Sequence, residues 1–274
     1  MSGGATVIQK NPDYFSLIQI SDLHLSTDVS MRYNGVDTQL SLDKVLQVIG
    51  SDFADTDLLV VTGDLLQYPN TLNYNQLFAQ FDTLGLPYLC IAGNHDVTLE
   101  LDSHLPFLQR RHLPVPADSR LLNCQLYQTA YWDMIFLDSS VVGEIHGHFS
   151  EPTLAWLAQT LASSSRPYVM FAHHPMAKVK SAWIDAHCVD NSEDFWSVVS
   201  PFRQRIKGIF VGHVHQECHI VHDGISMFSC PSTSVQFKPF CDDYTIDNKL
   251  AGLRWLTLYN NGKLATGIKR IDTM

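Results

Sequence analysis

The chain has 274 residues, enough for one large domain or two small ones, and 45% of them are hydrophobic, which supports a sizeable core. Its formal charge of −10 comes without a long basic run, which argues against broad contact with nucleic-acid backbone. No apolar run approaches a membrane span, and "MSGGATVIQKNPDYF" lacks the basic-then-apolar layout of a signal peptide, so a cytoplasmic protein without membrane contact is expected.

In chain order, Tyr14–Ile20 reads as a strand, and Leu40–Gly50 sets Leu42, Val45, Leu46 and Ile49 at helical spacing. Asp57–Thr62 is a short, mostly apolar run of the kind found in a strand covered on both faces. Thr71–Gly85 reads as a helix that stops at a glycine, and Pro87–Ala92 as a strand. Strand-like Tyr131–Asp138 is followed by a helix, "EPTLAWLAQTLA", with Ser150 as its N-cap. Tyr168–Ala172 and Gly208–Val211 are further strands, and from Cys218 onward strand patterns and turns dominate. Alternating strands and helices predict an α/β sandwich on one or two sheets, formed as a single domain over 1–274, with a strand-rich part from about 218. Cys90, Cys124, Cys188, Cys218, Cys230 and Cys241 are scattered, form no CxxC pair, and read as reduced, mostly buried thiols.

Five of the strands end in polar residues. "LIQISDLHL" ends in Asp22-x-His24, "LLVVTGDLL" in Gly63-Asp64, and "LCIAGNHDV" in Gly93-Asn94-His95-Asp96. "VMFAHHP" ends in His173-His174-Pro175, and "GIFVGHVHQ" in Gly212-His213-x-His215. In open α/β sheets, ligands bind beyond the carboxyl ends of strands, so these side chains are expected to converge in one crevice.

Two carboxylates, one amide oxygen and four imidazoles stand there, counting one of His173 and His174. Oxygen and nitrogen donors without thiolate suit divalent first-row metals such as Fe, Mn or Zn. Seven ligands are too many for one catalytic ion with an open position. They suit two ions about 3.5–4 Å apart that share a carboxylate and clamp a phosphoryl group.

The other polar and aromatic clusters have plainer readings. His146 and His148 sit on a loop and read as solvated; His219 and His222 read as structural or exposed. Trp156, Trp183, Trp196 and Trp255 read as core or cap packing. No nucleophile elbow or Walker-type phosphate loop is present.

The five signals together resemble the full signature of the calcineurin-like metallophosphoesterases. That resemblance implies a β-sandwich of two mixed sheets flanked by helices, with a dinuclear metal site at the C-terminal edge of the strands. "SAWIDAHCVDN" and "CPSTSVQFKPFCDDYTID" extend it to the bacterial class III cyclic nucleotide phosphodiesterases. Carried over by position, Asp22, His24, Asp64 and His215 hold one ion. Asp64, Asn94, His173 and His213 hold the other, with Asp64 as the bridge. The choice of His173 over His174 rests on the motif alone.

The resemblance implies hydrolysis of 3′,5′-cyclic AMP to 5′-AMP by a hydroxide bridging the two ions. His24, Asn94, His95 and His215 would contact the substrate. His95 would stabilise charge or protonate the leaving oxygen, and Asp96 would hold its imidazole in one tautomer. The alternatives are a phosphodiesterase for other small diesters, such as glycerophosphodiesters or nucleotide pyrophosphates, and a non-catalytic scaffold on the same fold. The expected partner is a small cyclic nucleotide; the sequence leaves the oligomeric state open, and a dimer is compatible with it.

Overall fold

The computed structural model describes residues 9–26, 28, 30–69, 71–101, 112–115 and 117–273. Residues 1–8 of the segment read above for a signal peptide lie outside the described residues. No described helix is long and apolar enough to cross a membrane.

The first half of the chain runs β1 (Tyr14–Ile20), α1 (Thr38–Asp52), β2 (Leu58–Thr62), α2 (Thr71–Asp82), β3 (Tyr88–Ile91), β4 (Thr98–Leu101), β5 (His112–Val115), β6 (Gln125–Gln128) and β7 (Asp133–Phe136). Then come α3 (Glu151–Ser163), β8 (Tyr168–Phe171), α4 (Ala182–Asp185), α5 (Ser192–Val199) and β9 (Ile206–Val211). The strand-rich end comprises β10 (His219–His222), β11 (Ile225–Ser229), β12 (Gln236–Phe237), β13 (Ile246–Asp247), β14 (Ala251–Tyr259) and β15 (Leu264–Ile271). The hairpin β4–β5, strand β6 and the short helices α4 and α5 lack long periodic runs and were not expected from the sequence.

Local chemistry explains the helix ends. Asp37 caps α1 by accepting the Leu40 N–H, so this helix starts at Thr38, two residues before the expected Leu40. Ser150 caps α3 as expected, accepting from Thr153 N–H, with Pro152 in the first turn. Helix α2 ends at Asp82, and Gly85 just beyond it takes φ +61°.

Two mixed sheets result, ordered β15-β14-β1-β2-β3 and β10-β11-β9-β8-β7-β6. Strands β1, β2 and β3 run parallel, as do β7, β8, β9 and β11. The apolar runs split strictly by alternation. Phe15 and Leu17 of β1, Leu58 and Val60 of β2, and Met134, Phe136, Val169, Phe171 and Phe210 of the second sheet share one cluster between the sheets. Ile18, Ile20, Leu59 and Val61 face the opposite way, onto α1 and α2, while Ile135, Met170 and Ile209 pack toward α3 and α5. Helices therefore cover both outer faces, which is why the central strands read as nearly continuous apolar runs. The described cysteines are all unpaired; Cys90 and Cys230 are buried, but the other four are half-buried, less enclosed than expected.

Candidate metal centre

The carboxyl ends of β1, β2, β3, β8 and β9 meet at one edge of the sandwich. The tips of β1 and β2 are tied together by Asp22 N–H to Gly63 O and His24 N–H to Asp64 O, both 3.0 Å. Asp22, His24, Asp64, His213 and His215 all take positive φ, between 46° and 66°. Non-glycine residues seldom adopt that region, so five at one edge mark a backbone bent to aim side chains into a common space. Two glycines permit the crowding. A Cβ on Gly93 would overlap the Asp64 carboxylate, and one on Gly63, which sits at φ +92°, would strike the His173 ring.

The hydrogen bonds fix which ring nitrogens are free. His24 Nδ1 is 2.9 Å from Gln67 Oε1, and His215 Nδ1 is 2.9 Å from the Val235 carbonyl. Each Nδ1 therefore carries the proton, and the two Nε2 lone pairs face each other at 3.1 Å. His173 Nδ1 donates to the Thr62 carbonyl at 2.7 Å, which leaves Nε2 facing Asn94 Oδ1 at 3.3 Å and Asp64 Oδ1 at 3.5 Å. His213 Nδ1 lies 3.1 Å from the same Asn94 oxygen.

His174 differs. Its Nδ1 meets Ser139 Oγ at 2.8 Å and its Nε2 donates to the Ile145 carbonyl at 3.0 Å, so the protein occupies both nitrogens. Ligand atoms of Asp22, His24, Asp64 and His215 lie within 4.8 Å of one another, and those of His173, His174 and His213 do likewise.

A centre this rich in acceptors needs positive charge. Burial disfavours a charged His173 ring, but the Asp64 and Asp22 carboxylates outweigh it and hold His173 up to about 9. Burial first, then the neighbouring imidazole rings, drive His24, His174 and His213 well below the usual imidazole value, against the opposing pull of the Asp64 carboxylate. Neutral imidazoles with exposed lone pairs beside two carboxylates are the donor chemistry that two divalent cations satisfy.

Two sequence expectations meet different surroundings. The Asp96 carboxylate does not reach the His95 ring. It accepts from Gly93 N–H at 2.9 Å, Leu65 N–H at 3.1 Å, Leu66 N–H at 3.4 Å and Tyr74 O–H at 2.7 Å, so it ties the β2 and β3 tips to α2. Burial first, then the Asp64 charge, push Asp96 up to about 6. His95 instead donates its backbone N–H to Asp64 Oδ1 at 2.8 Å and sets its ring edge-on to His24. Trp183, read as packing, also lines the pocket over the centre. His146 turns toward Asp190 and Glu144, as a loop residue would.

The segment Cys230–Asp247 supplies supports that no motif announced. Ser232 and Ser234 hydroxyls donate to the Asp22 carbonyl at 2.7 and 3.1 Å, and Phe237 stacks on His215 with ring centres 4.1 Å apart. The pocket above the centre is about 320 Å³, within the range for small-molecule sites. A wider groove of about 700 Å³, lined by Trp196, His222 and Lys178 among others, contains none of the seven donors and stands apart from this chemistry.

Residues 15–217 match the model of the calcineurin-like phosphoesterase family, and the chain belongs to that family. It is 39% identical over 264 residues to a Psychrobacter arcticus protein named "probable cyclic nucleotide phosphodiesterase", covering 94% of each chain. It is 35% identical to the 3′,5′-cyclic adenosine monophosphate phosphodiesterase CpdA of Vibrio vulnificus, over 93% of this chain and 89% of that protein. Its fold is similar to that of a dimetal phosphatase from Danio rerio, with a TM-score of 0.65 at 15% identity, covering 93% of this chain and 98% of the other.

Proposed function

We propose that the chain acts as one catalytic domain, a metal-dependent phosphodiesterase that opens 3′,5′-cyclic AMP to 5′-AMP. The observation that carries this reading is the set of Nε2 atoms of His24, His215 and His173, whose Nδ1 atoms are tied to the protein, turned toward Asp22, Asp64 and Asn94 beneath a pocket of small-molecule size. The substrate is supported by relatives of matching length that are named as cyclic nucleotide phosphodiesterases.

Asp22, His24, Asp64 and His215 would hold one divalent ion. Asp64, Asn94, His173 and His213 would hold the second. His174 is excluded from this set because Ser139 and Ile145 occupy its nitrogens. Bound there, the ions supply positive charge to the phosphate and lower the pKa of water. The protein's own part is positioning and proton transfer. Asn94 gives a neutral oxygen and so limits the negative charge that an anionic substrate meets. His95 stands at the pocket wall beside His24, where its imidazole can protonate the departing ribose oxygen. Gln67, Val235 and Thr62 fix the tautomers of the ligand rings. Six unpaired cysteines fit a reducing, cytoplasmic setting.

The test is product analysis. Metal-loaded protein should convert cyclic AMP to 5′-AMP, with little 3′-AMP, and chelated protein should not. Brisk cleavage of a glycerophosphodiester or a nucleotide pyrophosphate, with cyclic AMP untouched, would overturn the substrate assignment.

A further inference from the structure

The metal centre accounts for only part of its pocket. Apart from Asp64, no Asp, Glu, Lys or Arg lines it among the described residues. Beyond the centre, Ile145, Ile184 and His187 line it, and its outer wall carries the rings of Tyr33, Trp183, Phe237 and Tyr244. These come from four separate places: the loop before α1, helix α4, strand β12 and the loop before β13.

The four rings do two different jobs. Tyr33 stacks flat on His24, with centres 4.2 Å apart at 16°, and Phe237 stacks flat on His215. Those two rings cover metal-side imidazoles. Trp183 and Tyr244 stack face-on-face with no ring among the described residues. They meet each other edge-on at 5.0 Å, and each meets Phe237 edge-on, at 4.9 and 5.2 Å. Tyr244 is 50% exposed, so solvent and ligand can reach its ring.

We infer that Trp183 and Tyr244 form a stacking subsite for the nucleobase of the substrate. The inference rests on the cyclic-nucleotide reading above and deepens it. A phosphate at the centre lies beside His215. One ring contact leads from His215 to Phe237 and one more to Trp183 or Tyr244, a span that a ribose bridges between phosphate and base. An aromatic wall without Lys or Arg suits a neutral planar group better than a second phosphate. Stacking recognises any base by its π-face, so the subsite would favour nucleotides over base-free diesters without selecting strongly among bases.

The experiment compares cyclic AMP with its base-free analogue, methyl riboside 3′,5′-cyclic phosphate, on the metal-loaded enzyme. Titration with 5′-AMP gives a separate binding readout. Tyr244→Leu should lower the ratio of kcat/KM for cyclic AMP over the analogue about tenfold, chiefly through KM, and weaken 5′-AMP binding similarly. Tyr244→Phe should keep the ratio. Trp183→Leu should behave like Tyr244→Leu, with circular dichroism confirming its fold. An unchanged ratio and unchanged 5′-AMP binding in Tyr244→Leu would remove the subsite while cyclic AMP hydrolysis stood. A wild-type enzyme inert toward cyclic AMP that still bound 5′-AMP through Tyr244 would overturn the proposed substrate and retain the subsite. Equal losses on both substrates would make Tyr244 a structural brace and end the inference.

Discussion

His24 Nε2 and His215 Nε2 face each other at 3.1 Å, each with its Nδ1 proton already given to the protein. Two lone pairs at that distance repel unless a cation stands near them. The pair suits a cation between them, so metal binding should be linked to stability. Chelation should abolish activity and lower Tm by about 5 °C or more, and about two equivalents of divalent metal should restore both. Full activity and unchanged Tm in protein shown by elemental analysis to be metal-free would sink the dinuclear reading.

Asp64 is the carboxylate through which both halves of the centre meet. One oxygen lies 3.7 Å from His24 Nε2 and the other 3.5 Å from His173 Nε2, so it faces the first sheet's ligands and the second sheet's at once. Asp64→Ala should reduce bound metal from about two ions to one or fewer and lower the rate at least about hundredfold. Two tight ions in that variant would show that the bridge has been misassigned.

His95 lines the pocket without belonging to either group of close ligand atoms. His95→Ala should keep both ions and lower the rate for cyclic AMP by about 10²–10⁴-fold. The loss should shrink for a nitrophenyl diester, whose leaving oxygen needs little protonation. Equal losses on both substrates would reduce its role to charge stabilisation, and undiminished turnover would remove it from the chemistry.

The seven donors were legible because they are rare side chains at the ends of buried strands, where the fold leaves them one common direction. The supports were not. Ser232 and Ser234 act on a backbone carbonyl, and Val235 acts through its own carbonyl, so neither leaves a pattern in residue type. The choice between His173 and His174 turns on whether Thr62 or Ser139 and Ile145 bind the ring, which depends on strand pairing rather than spacing. Helices α1, α2 and α3 were legible from period, though the bounds of α1 moved with its Asp37 cap, and the shorter α4 and α5 were not read. The hairpin β4–β5 was too short to carry a periodic signal.

Asp96 is the sequence expectation that the geometry redirects, and its substitution separates the two roles. A residue that orients a catalytic imidazole should, when changed, lower rate and leave stability nearly alone. A residue that accepts from Gly93, Leu65, Leu66 and Tyr74 should act first on the fold. Asp96 is fully buried, so Asp96→Ala strands those donors away from water. Each orphaned donor costs about 1–3 kcal/mol, and partial relaxation leaves a loss of about 3 kcal/mol or more in denaturant unfolding. Asp96→Asn keeps one acceptor oxygen for the backbone N–H groups and can donate to the Tyr74 hydroxyl, which rotates to accept. It should lose about half as much. Tyr74→Phe removes one bond and should lose about 1–2 kcal/mol. Stability ordered in that way, with rate falling only as the Asn94–His95 tip loosens, supports the bracing role. Unchanged stability in Asp96→Asn with a steep loss of rate would return Asp96 to the side of His95.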